Sequence, residues 1–239
     1  MRWRYQLALR LDRGVGLGIE YDPSRFATPI LADEENYDRI GPVGRFRDGA
    51  TWDAATRTFR GGRATPAFRI MLAYGRLAEA RFAREGNAGE TLQNMVVLPD
   101  STRIPGNRLV RGATAERCAA ELLARITRRG VDASHVETGG GPMFVLTAQQ
   151  EDSDRMFAAA LGLLAAAAPG DVAAWQAARY LLYQAPRTKK GSDAVTRTFL
   201  VATGAVLFGH APVLDQDIDL RCMVLGQDAA TTAPSDPPV

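Results

Sequence analysis

The chain has 239 residues, 46% of them hydrophobic and 23% charged, which is too apolar for general disorder and long enough for one domain with an appendage or for two small ones. A net charge of +2 makes no case for a nucleic-acid partner, and two cysteines with two histidines exclude a disulfide scaffold and a metal site of the nitrogen and sulfur type. The longest apolar runs, 156–168 and 198–208, fall short of the ~20 residues that cross a bilayer; the basic start Met1-Arg-Trp-Arg-Tyr leads into no secretory apolar run, so a cytoplasmic protein without a membrane span is expected.

Of the 29 basic residues only Lys189 and Lys190 are lysine. An arginine bias of this kind is a codon effect of a GC-rich, bacterial-type genome. Against it, two neighbouring lysines mark one turn of the chain.

Residues 1–62 carry glycines, prolines and short aromatic or β-branched runs, which predict a small region of strands and turns with no long helix. Arg2 to Leu11 alternates as a strand does. Gly14-x-Gly16-x-Gly18 has the outline of a dinucleotide loop, but no helical pattern follows and Pro23 and Pro29 interrupt it, so a glycine turn is expected there.

Residues 63–227 predict a helical domain. Thr65-Pro66 is a cap followed by proline at the first helical position, and Phe68, Met71, Leu72 and Phe82 share a face before Gly86. A second helix runs from Thr114, with Cys118, Leu122 and Ile126 spaced by four and Gly130 as its stop. Between them Met95 to Leu98 suggests a short strand before a Pro99-Asp100 turn. His135 to Thr147 predicts a β-hairpin, since Gly139-Gly-Gly141 and Pro142 separate two runs that can extend.

Three helices follow, the first over about Asp152 to Ala167. Asp171 caps the next, where Val172, Trp175 and Leu182 share a face, and Pro186 stops it. Ser192 fits as the N-cap of the third, whose stripe Val195, Phe199, Ala202 and Val206 predicts a buried, central helix. Residues 228–239 are expected to be a disordered tail. The fold class expected is mainly α, a helical bundle with a β-hairpin flap and a small N-terminal β and loop region.

The candidate site is the turn from Arg187 to Arg197. A helix N-terminus leaves backbone N–H groups unpaired and carries about half a positive charge, so it attracts phosphate. Arg187, Lys189, Lys190, Gly191 and Ser192 precede or open the third helix. Arg197, about one and a half turns in, offers a bidentate fork. Such an arrangement suits a nucleotide or another phosphorylated small molecule. The competing reading is a solvated basic turn in which Arg197 satisfies a carboxylate or helix-end carbonyls.

At this point the chain resembles the Fic/Doc family, whose pattern runs His-Pro-Phe-x-Asp/Glu-Gly-Asn-Gly-Arg-x-x-Arg. The matching stretch is Gln184-Ala-Pro-Arg-Thr-Lys-Lys-Gly-Ser-Asp-Ala-Val-Thr-Arg197. Anchored on Gly191, the second arginine of the pattern falls on Arg197, while Ser192, Asp193 and Ala194 replace Asn, Gly and the first Arg. The resemblance covers about 65–210 and lies mainly in the order of elements. It implies a nucleotide with Mg²⁺ as cofactor and a protein acceptor docked at the flap 136–146. It also aligns Arg84-Glu85-Gly86-Asn87 with the family's inhibitory motif, which would set Glu85 against Arg197.

The family's histidine acts as general base, and neither Gln184 nor Pro186 can take that role. The departure implies either a transferase with altered chemistry, in which Asp193 handles the proton or Mg²⁺ and Arg197 assists, or a non-catalytic interaction module that meets an acidic partner. Two further signals stand beside these. Asp215, Asp217 and Asp219 would share one face of a strand and bind a cation, or form a solvated edge. Leu109-Val-Arg111-Gly112 resembles the strand arginine of ADP-ribosyltransferases, although no Glu-x-Glu follows.

Overall fold

The computed structural model describes residues 28–30 and 35–232. The expected strand Arg2 to Leu11 and the glycine turn at 14–18 lie outside the described residues. Two compact units divide the chain, and they interleave along it: Tyr37–Leu92 and Leu109–Val145 belong to the first, Gln93–Arg108 and everything from Leu146 onward to the second.

Short strands open the first unit, as the glycine and proline spacing predicts. These are β1 (Tyr37–Ile40), β2 (Arg47–Asp48), β3 (Thr51–Asp53), β4 (Thr58–Arg60) and β5 (Arg63–Ala64), with β2 paired to β5 and β3 to β4, both antiparallel. Helix α1 (Pro66–Arg84) follows. Thr65 caps it by accepting the Phe68 amide at 3.2 Å, and Phe68, Tyr74, Ala78 and Phe82 fill the core of this unit. Helix α2 (Gly112–Arg128) buries Ala115, Cys118 and Ala119. Its first amides are capped from a distance, Glu90 accepting from Ala113 N at 2.9 Å and Thr114 N at 2.8 Å. The bond from Ala113 leads the causes that hold the Glu90 carboxyl below the usual carboxylate range.

The remaining strands are β6 (Thr91–Val97), β7 (Arg103–Val110) and β8 (Met143–Leu146), and the four-stranded sheet has the order β1-β8-β7-β6. The β-hairpin of this mainly α chain is β6–β7, turned at Pro99-Asp100-Ser101, where the Asp100 carboxylate accepts Thr102 N at 2.9 Å. Its strands continue past Leu92 and Leu109 into the second unit.

The predicted hairpin at 136–146 does not form. Only Met143–Leu146 is strand. Arginines claim the carbonyls of the preceding segment: Arg39 donates to Glu137 O and Gly139 O, both at 2.8 Å, and Arg57 to Ala133 O at 2.8 Å. The Thr138 and Gly139 amides in turn donate to Arg57 O at 3.2 and 3.1 Å. These bonds commit backbone groups of the segment to other elements in place of a second strand.

The second unit packs around α4 (Val172–Gln184), whose Trp175, Ala178, Leu181 and Leu182 are buried against Met156 and Ala160 of α3 (Gln150–Ala166) and Leu200 of α5 (Ser192–Phe208). Asp171 caps α4 as its sequence predicts, accepting Ala174 N at 2.9 Å. Ile218 and Cys222 of α6 (Ile218–Val224) and Ala230 of α7 (Gln227–Thr232) complete the core, so residues 228–232 form a helix where a disordered tail was expected. Burial pushes the Cys222 thiol up to about 12, the state of an inert packing residue.

One expectation about α5 reverses. Val195, Phe199 and Val206 are 47%, 37% and 84% exposed, and the helix buries Leu200 and Gly204 instead. A Cβ at Gly204 would lie 2.5 Å from Pro212 Cγ and 3.1 Å from Trp175 Nε1, so the absent side chain is what lets these groups come close. Among the described residues no helix is long and apolar enough to cross a membrane.

Candidate functional site

Helix α4 ends before Pro186, and the turn 187–191 carries the chain to α5. The backbone of this turn is paired with 28–30: Ile30 N donates to Arg187 O at 3.2 Å and Lys189 N to Thr28 O at 3.0 Å. Arg187 makes an ion pair with Asp154 and lies 4.9 Å over the Phe157 ring, so its guanidinium is held on α3. Lys190 is exposed and Lys189 half-buried.

Gly191, not Ser192, is the N-cap of α5. Its φ of 74° lies in the left-handed region where only glycine is unstrained, and no side chain caps the first amides. Ser192 cannot do so because its hydroxyl turns back to the loop, donating to Thr188 O and accepting Thr188 N at 3.2 Å. The opening amides of α5 thus lack the carboxylate lid that Glu90 places on α2.

Asp193 is the acid of this first turn, and it is drawn to the flank of the helix. Tyr183 donates its hydroxyl to Asp193 Oδ1 at 3.0 Å, and Arg197 NH2 donates to the same oxygen at 3.2 Å. Burial first, then the charge of Asp193, raises the Tyr183 phenol above its ordinary value. The same two causes lift the Asp219 carboxyl from 3.8 to about 6. Sequence reasoning missed this grouping of Tyr183, Asp193, Arg197 and Asp219. Ten residues and a turn separate Tyr183 from Asp193, and no spacing rule joins Asp219 to them.

Arg197 has further commitments. Its NH1 donates to Leu214 O at 3.3 Å and Asp215 O at 2.7 Å, and its NH2 to Gln216 O at 3.2 Å. This is the arrangement in which the arginine satisfies a carboxylate and loop carbonyls. A bidentate fork is therefore not free for a phosphate in this conformation.

The other sequence candidates find local partners. Asp215, Asp217 and Asp219 do not share a strand face, because 218–224 is helical; Asp215 and Asp217 instead face Arg221 at 3.5 and 3.8 Å. Among the described residues no cluster of three ligating side chains exists. Glu85 pairs with Arg81 at 2.6 Å, one turn back on its own helix. Arg111 bonds Gly89 O and pairs with Glu79 while lying 4.1 Å over Phe82, which makes it a tie between segments of the first unit.

Gln184 is fully buried, and Pro186, on which the family's histidine falls when the pattern is anchored on Gly191, carries no base. His135 and His210 are exposed; His135 bonds Ser134 Oγ at 2.8 Å and His210 the Phe208 carbonyl at 3.1 Å.

Comparison with known protein families and with curated proteins finds no match to this chain.

Proposed function

We propose that the second unit binds a nucleotide or another phosphorylated ligand at the opening turn of α5, and that it is a Fic-like transferase in which carboxylates replace the histidine base. The observation that carries this reading is the start of α5: a left-handed Gly191, no side-chain cap on the first amides, and Lys189 and Lys190 just before them. Unpaired amides, the helix dipole and two point charges act together on a phosphate. Asp193, held aside by Tyr183 and Arg197, leaves that approach open.

In this reading Arg197 and Tyr183 are positioning residues. Asp219, with a carboxyl at about 6, is charged or neutral near physiological pH and suits proton transfer to or from an acceptor hydroxyl. A magnesium ion arriving on the nucleotide phosphates would meet Asp193 and Asp219, and would take its other ligands from phosphate and water. The segment 136–146 is given no acceptor-docking role, since it forms no flap.

Thermal denaturation with ATP, GTP, CTP, UTP, NAD and common phosphorylated metabolites tests the reading. A ligand at 100 times its dissociation constant adds about 2.7 kcal/mol. The gain should disappear in Lys189→Ala/Lys190→Ala, and a set of ligands that all leave the midpoint unmoved refutes the site.

A second reading, a non-catalytic module for an acidic protein partner, draws on the exposed stripe Val195, Phe199 and Val206 beside the lysines. It predicts loss of a protein complex on Val206→Asn or Lys190→Ala with no small-molecule effect. The ADP-ribosyltransferase-like reading has lost its arginine to the contacts with Gly89 and Glu79.

A further inference from the structure

In the first unit, the strand pair β2–β5 and the start of α1 border a cleft of about 600 Å³. Arg45, Arg47, Arg63 and Arg69 line it, and Asp48 is the one carboxylate among its walls, so four positive charges stand against one negative. We propose that this cleft is a binding site for a small phosphate-bearing molecule with at least two negative charges.

Arg47, Arg63 and Arg69 are poorly compensated as they stand. Arg63 reaches Asp48 at 3.1 Å, but the two side chains are 85% and 64% exposed, and a pair so open to water holds its charges weakly. Arg47 lies 4.2 Å over the Phe68 ring and donates to Gly61 O at 3.3 Å. Arg69 makes one long bond, 3.4 Å, to Ala64 O, whereas Arg45, 5.2 Å from the centre of the Phe46 ring, also feels the carboxylates of Glu137 and Asp38. Ring and carbonyl contacts orient guanidinium forks without neutralising them, and such forks match the oxygens of a phosphate.

The backbone adds to the same field. Helix α1 is 19 residues long and has no acidic residue in its first turn, so the positive end of its dipole is unopposed. Arg69, three residues after Pro66, adds a cation at the end of a helix where cations are disfavoured. Like charges gathered at one place cost the free protein stability, and a bound dianion would relieve that cost.

The volume falls in the range of about 300–1,000 Å³ typical of small-molecule sites. With a net charge of only +2, the chain as a whole offers little long-range attraction to a nucleic acid. This cleft shares no residue with the opening turn of α5, so the two sites stand or fall separately.

The test is calorimetric titration of the full chain with inorganic pyrophosphate at low ionic strength, for the native sequence, Arg45→Gln/Arg69→Gln and Lys189→Ala/Lys190→Ala. Binding to the native chain should weaken at least about tenfold in the arginine variant, which corresponds to about 1.4 kcal/mol, and persist in the lysine variant. Should the arginine variant fail to fold, Arg63→Gln, whose side chain is 85% exposed, replaces it and should also weaken binding. The proposal is overturned if pyrophosphate does not bind, if the arginine variants bind it undiminished, if sulfate at matched ionic strength binds as well, or if only a single-stranded oligonucleotide binds.

Discussion

Gln184 Oε1 accepts the backbone amide of Asn107 at 3.0 Å while its Nε2 donates to Cys222 O at 2.6 Å, so a single buried amide joins the β6–β7 hairpin, α4 and α6. Gly106 allows the contact, because a Cβ there would sit 2.5 Å from that oxygen. Asn107 and Asn94 extend the network to Met223 O, at 2.7 and 3.0 Å. Replacing Gln184 with Leu strands a buried N–H and a buried C=O, at a cost of about 2–4 kcal/mol. Gln184→His should be destabilised by a similar amount and gain no transferase activity, since a fully buried ring reaches no substrate. Urea denaturation checks the first point. Nucleotide transfer by the His variant at native stability would refute the second.

Asp219 gives a pH dependence with a definite sign. Its carboxyl rises from 3.8 to about 6 on folding, chiefly through burial and then through Asp193. The folded state therefore binds the proton more tightly than the unfolded state, and the stabilisation, complete below pH 3.8, is lost as pH rises through 6. Above that, the charged carboxylate costs at most about 3 kcal/mol, at 1.36 kcal/mol per unit. Asp219→Asn should be more stable than the native chain at pH 7.5 and lose that advantage by pH 4. Carboxylates with depressed values, such as Glu90 and Asp154, slope the other way, and the difference between the two proteins cancels them. Equal stabilities at both pH values would mean that Asp219 feels neither burial nor Asp193.

Arg197 links α5 to the carbonyls of 214–216. Arg197→Ala should cost about 1–3 kcal/mol and speed amide exchange across 209–217, because several acceptors lose their donor together. Arg197→Lys should recover little, as one ammonium cannot span the acceptors of a planar fork. Unchanged stability in the Ala variant, combined with loss of a nucleotide thermal shift, would instead make the arginine a phosphate ligand.

Helix ends were legible because their chemistry is local. Thr65-Pro66 and Asp171 each cap the helix their sequence announces, and Gly86, Gly130 and Gly209 all take positive φ where a helix stops. Pairing was less legible, since Arg39 and Arg57 reach the carbonyls of 133–139 from 76 to 100 residues away and dissolve a hairpin that glycines alone suggest. In the candidate site the basic turn was visible, whereas the partners of Arg197 were not. Nor was the interleaving of the two units along the chain, for the unit boundaries at Leu92 and Leu109 carry no break in composition.

The face that α5 buries tests how far apolar spacing can be trusted. Both Val195, Phe199, Val206 and the opposite set around Leu200 are apolar, so periodicity proposes two cores and only packing chooses. Leu200 is fully buried, Gly204 sits against Pro212, and the Leu200 carbonyl accepts Trp175 Nε1 at 3.1 Å. Leu200→Ala should therefore cost about 2–5 kcal/mol. Val195→Asn and Val206→Asn, on the exposed side, should each change stability by less than about 0.5 kcal/mol. Gly204→Ala should be harmful despite the better helix propensity of alanine, because its methyl meets the Pro212 ring at 2.5 Å. Urea midpoints for the four variants decide the matter, and a Val206→Asn loss as large as that of Leu200→Ala would mean that the outer stripe is covered in solution.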